Sequence, residues 1–227
     1  MPEVPYGQAE FFEVFRAYHA SFPLAPIVWT VLAVGAVILI LRKAPVSDRF
    51  GAAILAGLWI WAGVAYHLVH FAAINPAARL FGALFVMEGV LIAGLGLVNR
   101  KLQFAYTPTL PGVTGGALIV YALALYPLIG RLTGHGYPSG PTIGVPCPTT
   151  IFTFGLFLWA IGSMPRYLLV IPILWAILAA PAAVSWGVLE DIMMPVAALL
   201  VVIAVVAGRV HRSQAMQEHL HPIKVAR

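Results

Sequence analysis

Seven side chains in this sequence combine reactive chemistry with an otherwise apolar setting: His67, His70, Glu88, His135, Cys147, Glu190 and Asp191. His67 and His70 are spaced i, i+3, so a regular helix puts both on one face. Glu88 follows beyond a short Asn75-Pro76 turn. Two antiparallel helices joined by that turn bring Glu88 within about one helical turn of His67 in depth. A carboxylate opposite an imidazole makes each cheaper to bury. Such a pair either locks the hairpin structurally or binds something. Cys147 sits between two prolines ahead of Thr149 and Thr150, both good helix N-caps. A thiol at a helix N-terminus favours the thiolate that metal binding or nucleophilic attack requires. The blander alternative is a small buried thiol in a Pro-Cys-Pro turn.

Those residues define the expected site. His67, His70, Glu88, His135 and Cys147 are the candidate ligand-binding set, with His67, His70 and Cys147 as the candidate metal ligands. Mixed nitrogen and sulfur donors suit zinc or copper better than magnesium or calcium. Tyr66, Glu190 and Asp191 are expected at the outer rim, where acidic residues complement the positive end of a helix.

The elements that must hold them follow from composition. The chain has 227 residues, 61% hydrophobic and only 9% charged, which excludes an ordinary soluble domain. A helix needs about 17–25 apolar residues to cross hydrocarbon. Runs near 26–41, 51–73, 79–98, 112–130, 149–163, 167–186 and 189–208 predict an all-α polytopic membrane protein with seven transmembrane helices. The fifth run is short, about 25 Å of helix, so the Gly- and Pro-rich segment before it should dip into the outer leaflet under cover of protein. That dip brings Cys147 to the depth of His67.

Thirteen Lys and Arg face eight Asp and Glu, giving +5. Arg42, Lys43, Arg49, Arg100, Lys101, Arg166, Arg209, Arg212, Lys224 and Arg227 fall on one side of the seven-span topology. Arg16, Arg79 and Arg131 fall on the other. The positive-inside rule then puts the N-terminus outside and the C-terminus in the cytoplasm of a bacterial inner membrane. The positive charge is a topology signal and not one of nucleic-acid binding. Residues 1–24 lack the pattern of a cleavable signal peptide. Phe11, Phe15, Tyr18 and Phe22 recur at helical spacing between Glu10, Glu13 and Arg16, which reads as an amphipathic interfacial helix. The divisions are therefore 1–24 for that helix, 25–209 for the transmembrane domain and 210–227 for a cytoplasmic tail. His19, His211, His219 and His221 are expected in exposed terminal segments without a role.

Several chemistries drop out. The lysines Lys43, Lys101 and Lys224 all lie outside the spans, so a retinal Schiff base has no attachment point. A single cysteine, Cys147, allows no intramolecular disulfide. Polar groups gather in the outer half of the bundle, whereas a carrier of charged ions usually needs them along its whole path. That favours an outward-facing site that binds a small solute or a transition-metal ion, or permease-like transport of a small, largely neutral solute. A metal-dependent hydrolase with Glu88 as base ranks below it, beside a non-catalytic accessory subunit that binds partners or forms an oligomer.

Three stretches, EFFEVFRAYHASFPLAP, YHLVHFAAINPAARLFGALFVMEG and GHGYPSGPTIGVPCPTTIFTFGLFLWA, resemble an uncharacterised bacterial family of multi-pass membrane proteins of unknown function. The resemblance spans most of residues 8 to 195. It implies a membrane protein, in a family whose members are sometimes labelled permeases, and it transfers no catalytic residues.

Overall fold

The computed structural model describes residues 6–161 and 164–220, with the side chains of residues 182–183 and 208–220 left out. The described chain is an α-helical bundle with one two-residue strand pair. Helix α1 (Gln8–Ser21) is followed by α2 (Ala25–Leu41), which starts over Pro26 and turns 82° away from it. A proline suits that first turn because its missing N–H is unneeded there. Helix α3 (Ser47–Trp61) runs on through a π-helical stretch, Ala62–Leu68, and a 3-10 turn, Phe71–Ala73. Helix α4 (Ala78–Ala93) ends in a π turn over Gly94–Val98. Helices α5 (Leu110–Val120) and α6 (Tyr126–Leu132) form one rod through a π turn at Tyr121–Leu125. Then come α7 (Pro146–Leu158), α8 (Val170–Trp186) and α9 (Met193–Leu220).

Five of these segments are long and apolar enough to cross a membrane: Ser47–Ala73, Ala78–Val98, Leu110–Leu132, Arg166–Trp186 and Leu189–Ala207. A sixth is reached if α1 and α2 count as one bent span. The fifth expected crossing differs. It begins at Pro146 instead of Thr149, ends at Leu158, and with 13 residues spans only about 20 Å. Every residue from Pro146 to Phe157 is buried, so α7 is a central strut enclosed by other helices. The bundle's outside carries exposed Leu, Ile and Val along α2, α8 and α9, including Val31, Ile177 and Leu199. A soluble protein does not tolerate that much contiguous apolar surface.

The connections sort to two ends. At one, β1 (Gln103–Phe104) pairs antiparallel with β2 (Ala160–Ile161), and the Phe104 N–H donates to Asp48 Oδ1 at 2.9 Å. The α2–α3, α4–α5 and α7–α8 connections therefore share an end, with Arg42, Lys43, Arg49, Arg100, Lys101 and Arg166 around them. At the other end α1 lies across the bundle, joining α3, the 133–145 loop and the end of α8. Arg16, Arg79 and Arg131 belong to this end. The side chains of Arg209, Arg212, His211 and His219 are not among those described, and His221, Lys224 and Arg227 lie outside the described residues, as does Ser163.

Close helix approach fixes the geometry inside. A Cβ on Gly89 of α4 would fall 2.8 Å from the Ala56 carbonyl oxygen of α3, and one on Gly63 would fall 2.8 Å from that of Gly82. Small residues let these two backbones touch, the usual device where lipid supplies no drive for association. Helix α7 is pinned to α3 by the Trp59 indole N–H, which donates to Thr153 Oγ1 at 2.9 Å.

Candidate functional site

The first turn of α7 and the turn before α9 build a buried polar centre. Val145 is the N-cap of α7, and Cys147 lies inside its first turn. The expected caps do other work: Thr149 Oγ1 accepts the Gly144 N–H, and Thr150 Oγ1 donates back to the Pro146 carbonyl. Gly144 holds φ +97 with Trp29 against it, a conformation and a closeness suited to glycine. Cys147 lies beside Asp191 and Trp175. The Tyr126 hydroxyl donates to Asp191 Oδ1, and the Tyr66 phenol lies near both Cys147 and Asp191. Asp191 and Glu190 are buried in a 3-10 turn, Leu189–Ile192, directly ahead of α9. Tyr121 Oη donates to the Glu190 backbone carbonyl, while both Glu190 carboxylate oxygens lack a partner.

Tyr66, Glu190 and Asp191 are therefore interior residues and not an outer rim. Helix α1 covers Tyr66 with its apolar face, while Glu190 rests on the Gly130 backbone of α6 and Asp191 lies against Tyr126 and Cys147. Phe15 stacks on Tyr66 at 5.2 Å, Phe11 stacks on Trp186 at 4.4 Å, and the Trp61 indole donates to Tyr18 Oη at 2.7 Å. Burial pushes the Tyr18 phenol up to about 12, with the Trp61 bond opposing that rise. The same cause takes Tyr6 to about 12, against a bond to Asn75. Glu10, Glu13 and Arg16 stay exposed as the spacing predicts, but the buried stripe is Phe12, Val14, Phe15, Tyr18 and His19.

His19 is the histidine the sequence undervalued. It is 1% exposed, with Nδ1 2.8 Å from the Pro138 carbonyl and Nε2 3.1 Å from Thr142 Oγ1. A carbonyl only accepts, so Nδ1 carries the proton and Nε2 accepts from the threonine hydroxyl. Burial lowers its basicity, against opposing bonds to Pro138 and Phe15.

The remaining candidates separate. His67 is fully buried in an aromatic cage, its ring 4.7 Å from Phe85 and 5.0 Å from Trp175. Neither of its ring nitrogens has a partner, and neither carboxylate oxygen of the fully buried Glu88 has one. The expected His67–Glu88 hydrogen bond is not made. His70 does not share the His67 face. The π-helical stretch adds a residue per turn, so positions three apart no longer overlie. His70 instead puts Nδ1 2.7 Å from the Ala65 carbonyl and Nε2 3.1 Å from Ser21 of α1. His135 stacks on Phe12 at 4.4 Å, with Nδ1 3.3 Å from Thr133 Oγ1. The depth match between Cys147 and His67 corresponds to a real neighbourhood, with Trp175 between them.

Among the described residues no three His, Cys, Asp or Glu side chains are gathered to hold one metal ion. His67, His70 and Cys147 do not form such a group. Sequence reasoning missed Tyr126 and Trp175. Tyr126 was visible as a hydroxyl in an apolar run, but nothing local distinguishes it from Tyr121.

Helices of this length and apolarity, a lipid-suited exterior and a polar centre enclosed by protein fit an integral membrane protein. The chain belongs to the family of unknown function DUF6064, whose model matches residues 8–216. No curated protein and no solved structure matches it.

Proposed function

We propose that the protein is a seven-crossing inner-membrane protein that binds a small positively charged solute or metal ion at its α1-covered end. In this reading α2 and the enclosed α7 complete the crossings, and the α1 end faces outward. The split of basic residues between the two ends supports that orientation. Asp191 and Glu190 are the recognition groups, Tyr126, Tyr66 and Cys147 the walls, and Trp175 the link to His67.

One observation carries the reading. Glu190 and Asp191 are 0% and 4% exposed, and the described residues form no ion pair with either. A buried carboxylate without a positive partner costs several kcal/mol, and an incoming cation offsets that. Thermal unfolding of the purified chain in nanodiscs, against a panel of zinc, copper(I), sodium, choline and putrescine, tests it. A ligand at about 100 times its dissociation constant adds about 2.7 kcal/mol of stability. At least one cation should raise the midpoint in wild type and not in Asp191→Asn. A midpoint indifferent to the whole panel would overturn the reading.

A further inference from the structure

An open cavity of about 530 Å³ lies beside α6 at the α1 end of the bundle, lined by Leu128, Gly130, Arg131, His135, Tyr137 and Thr142 among others. Gly130 is one of its lining residues, and Glu190 lies behind it. A Cβ added there would fall 2.8 Å from Glu190 Oε1, so the glutamate side chain rests directly on that backbone. Glu190 is fully buried, both its carboxylate oxygens lack a partner, and it adjoins Asp191 in sequence. Asp191 in turn neighbours Cys147 and Tyr126. Glu190, Asp191 and Cys147 thus lie in succession behind the cavity wall, and the acid nearest the cavity is without a partner.

We propose that this cavity is the entrance to the acidic centre and that Glu190, packed against its lining residue Gly130, selects small cations there. The inference rests on the reading that the centre takes a positively charged ligand, and it adds the route and the selecting residue. Arg131 is exposed at the mouth, where solvent screens its guanidinium, whereas Glu190 acts in a low-dielectric interior where a charge reaches further. The net preference of the passage is thus set by the acid and weakened by the arginine.

Cys147 is the sole cysteine, and it sits at the far end of this route, which makes it a native reporter. Its thiolate attacks the sulfenyl sulfur of a methanethiosulfonate, forming a disulfide and releasing methanesulfinate. Full-length protein in nanodiscs is treated with the 2-aminoethyl (cationic) or 2-sulfonatoethyl (anionic) reagent, and Cys147 labelling is timed by mass spectrometry. The cationic reagent should react about tenfold or more faster in wild type, the scale on which a charged cleft concentrates a counter-ion. Glu190→Gln should erase that preference, and Arg131→Gln should enlarge it. Gly130→Val should slow both reagents. Leu128→Trp, at the exposed mouth, should do the same without touching buried contacts. Labelling at wild-type rate in both Gly130→Val and Leu128→Trp overturns the route, as does a Cys147 that neither reagent reaches. An unchanged preference in Glu190→Gln overturns the selecting role. The cation panel on unfolding reads the binding centre separately, so a wrong entrance and a wrong centre give different results.

Discussion

Replacing Glu88 by methionine should make the protein more stable. Glu88 is fully enclosed on α4 and neither oxygen of its carboxylate finds a donor. Burying a polar group that makes no hydrogen bond costs about 1–3 kcal/mol on the protein mutational scale, and an unpaired charge costs more. Methionine has nearly the same length and volume and a flexible side chain, so it fills the space without overpacking. Removing the penalty while keeping the packing gives a gain of about 2 kcal/mol. For a chain of this length that corresponds to a midpoint about 4–8 °C higher. The assay is thermal unfolding in one fixed detergent, followed by intrinsic tryptophan fluorescence. Glu88→Gln is the control, because an unpartnered carboxamide retains the burden and its midpoint should not rise. A methionine variant that melts several degrees below wild type would refute the reasoning, since it would mean that Glu88 has a partner whose loss matters.

The other expectations concern the covered end. Tyr126→Phe deprives buried Asp191 of its hydroxyl donor and should cost about 1.5–3 kcal/mol, with Asp191→Asn in the same background showing strong non-additivity in a double-mutant cycle. His19 is held neutral in docked α1 and titrates near about 6.5 when undocked. The undocked form therefore binds more protons below that pH, and α1 docking should weaken as pH falls through about 6.5 toward the lowered native value. Limited proteolysis of α1 from pH 8 to 5 reads this, and His19→Gln should flatten the profile. Gly144→Ala puts a Cβ 2.8 Å from Trp29 Cδ1 on a backbone at φ +97, and should lose about 1–3 kcal/mol in the same unfolding assay.

Much of the membrane architecture could be read from the chain, because a span is declared by length and apolarity alone. The helices over 47–73, 78–98, 110–132, 166–186 and 189–207 lie close to their expected positions. The fifth run was legible as short, but its bounds were not. Pro146 suits a first helical turn, so α7 starts before the threonines that look like caps. Which face a residue presents was less accessible. The i, i+3 pairing of His67 and His70 assumes 3.6 residues per turn, and the π-helical stretch at Ala62–Leu68 departs from that without a sequence marker.

Burial at the covered end depends on a contact far apart in sequence. Glu190 and Asp191 look like a solvated helix start until Tyr126 and Gly130 of α6, some 65 residues earlier, pack against them. The docking of α1 on the 133–145 loop likewise turns His19 from a tail residue into a buried one. Cys147 of the expected ligand set lies beside Asp191 of the expected rim, while His70 and His135 pack against α1.

The most direct measurement is protection of Cys147. With the panel cation that raises the unfolding midpoint most, the rate of Cys147 alkylation by an uncharged maleimide is compared with and without that cation at saturation. Occupation beside Asp191 predicts labelling slowed about tenfold or more, with the protection gone in Asp191→Asn. Unchanged labelling in wild type under a cation that demonstrably stabilises the protein would contradict the account, because the ligand would then be bound elsewhere.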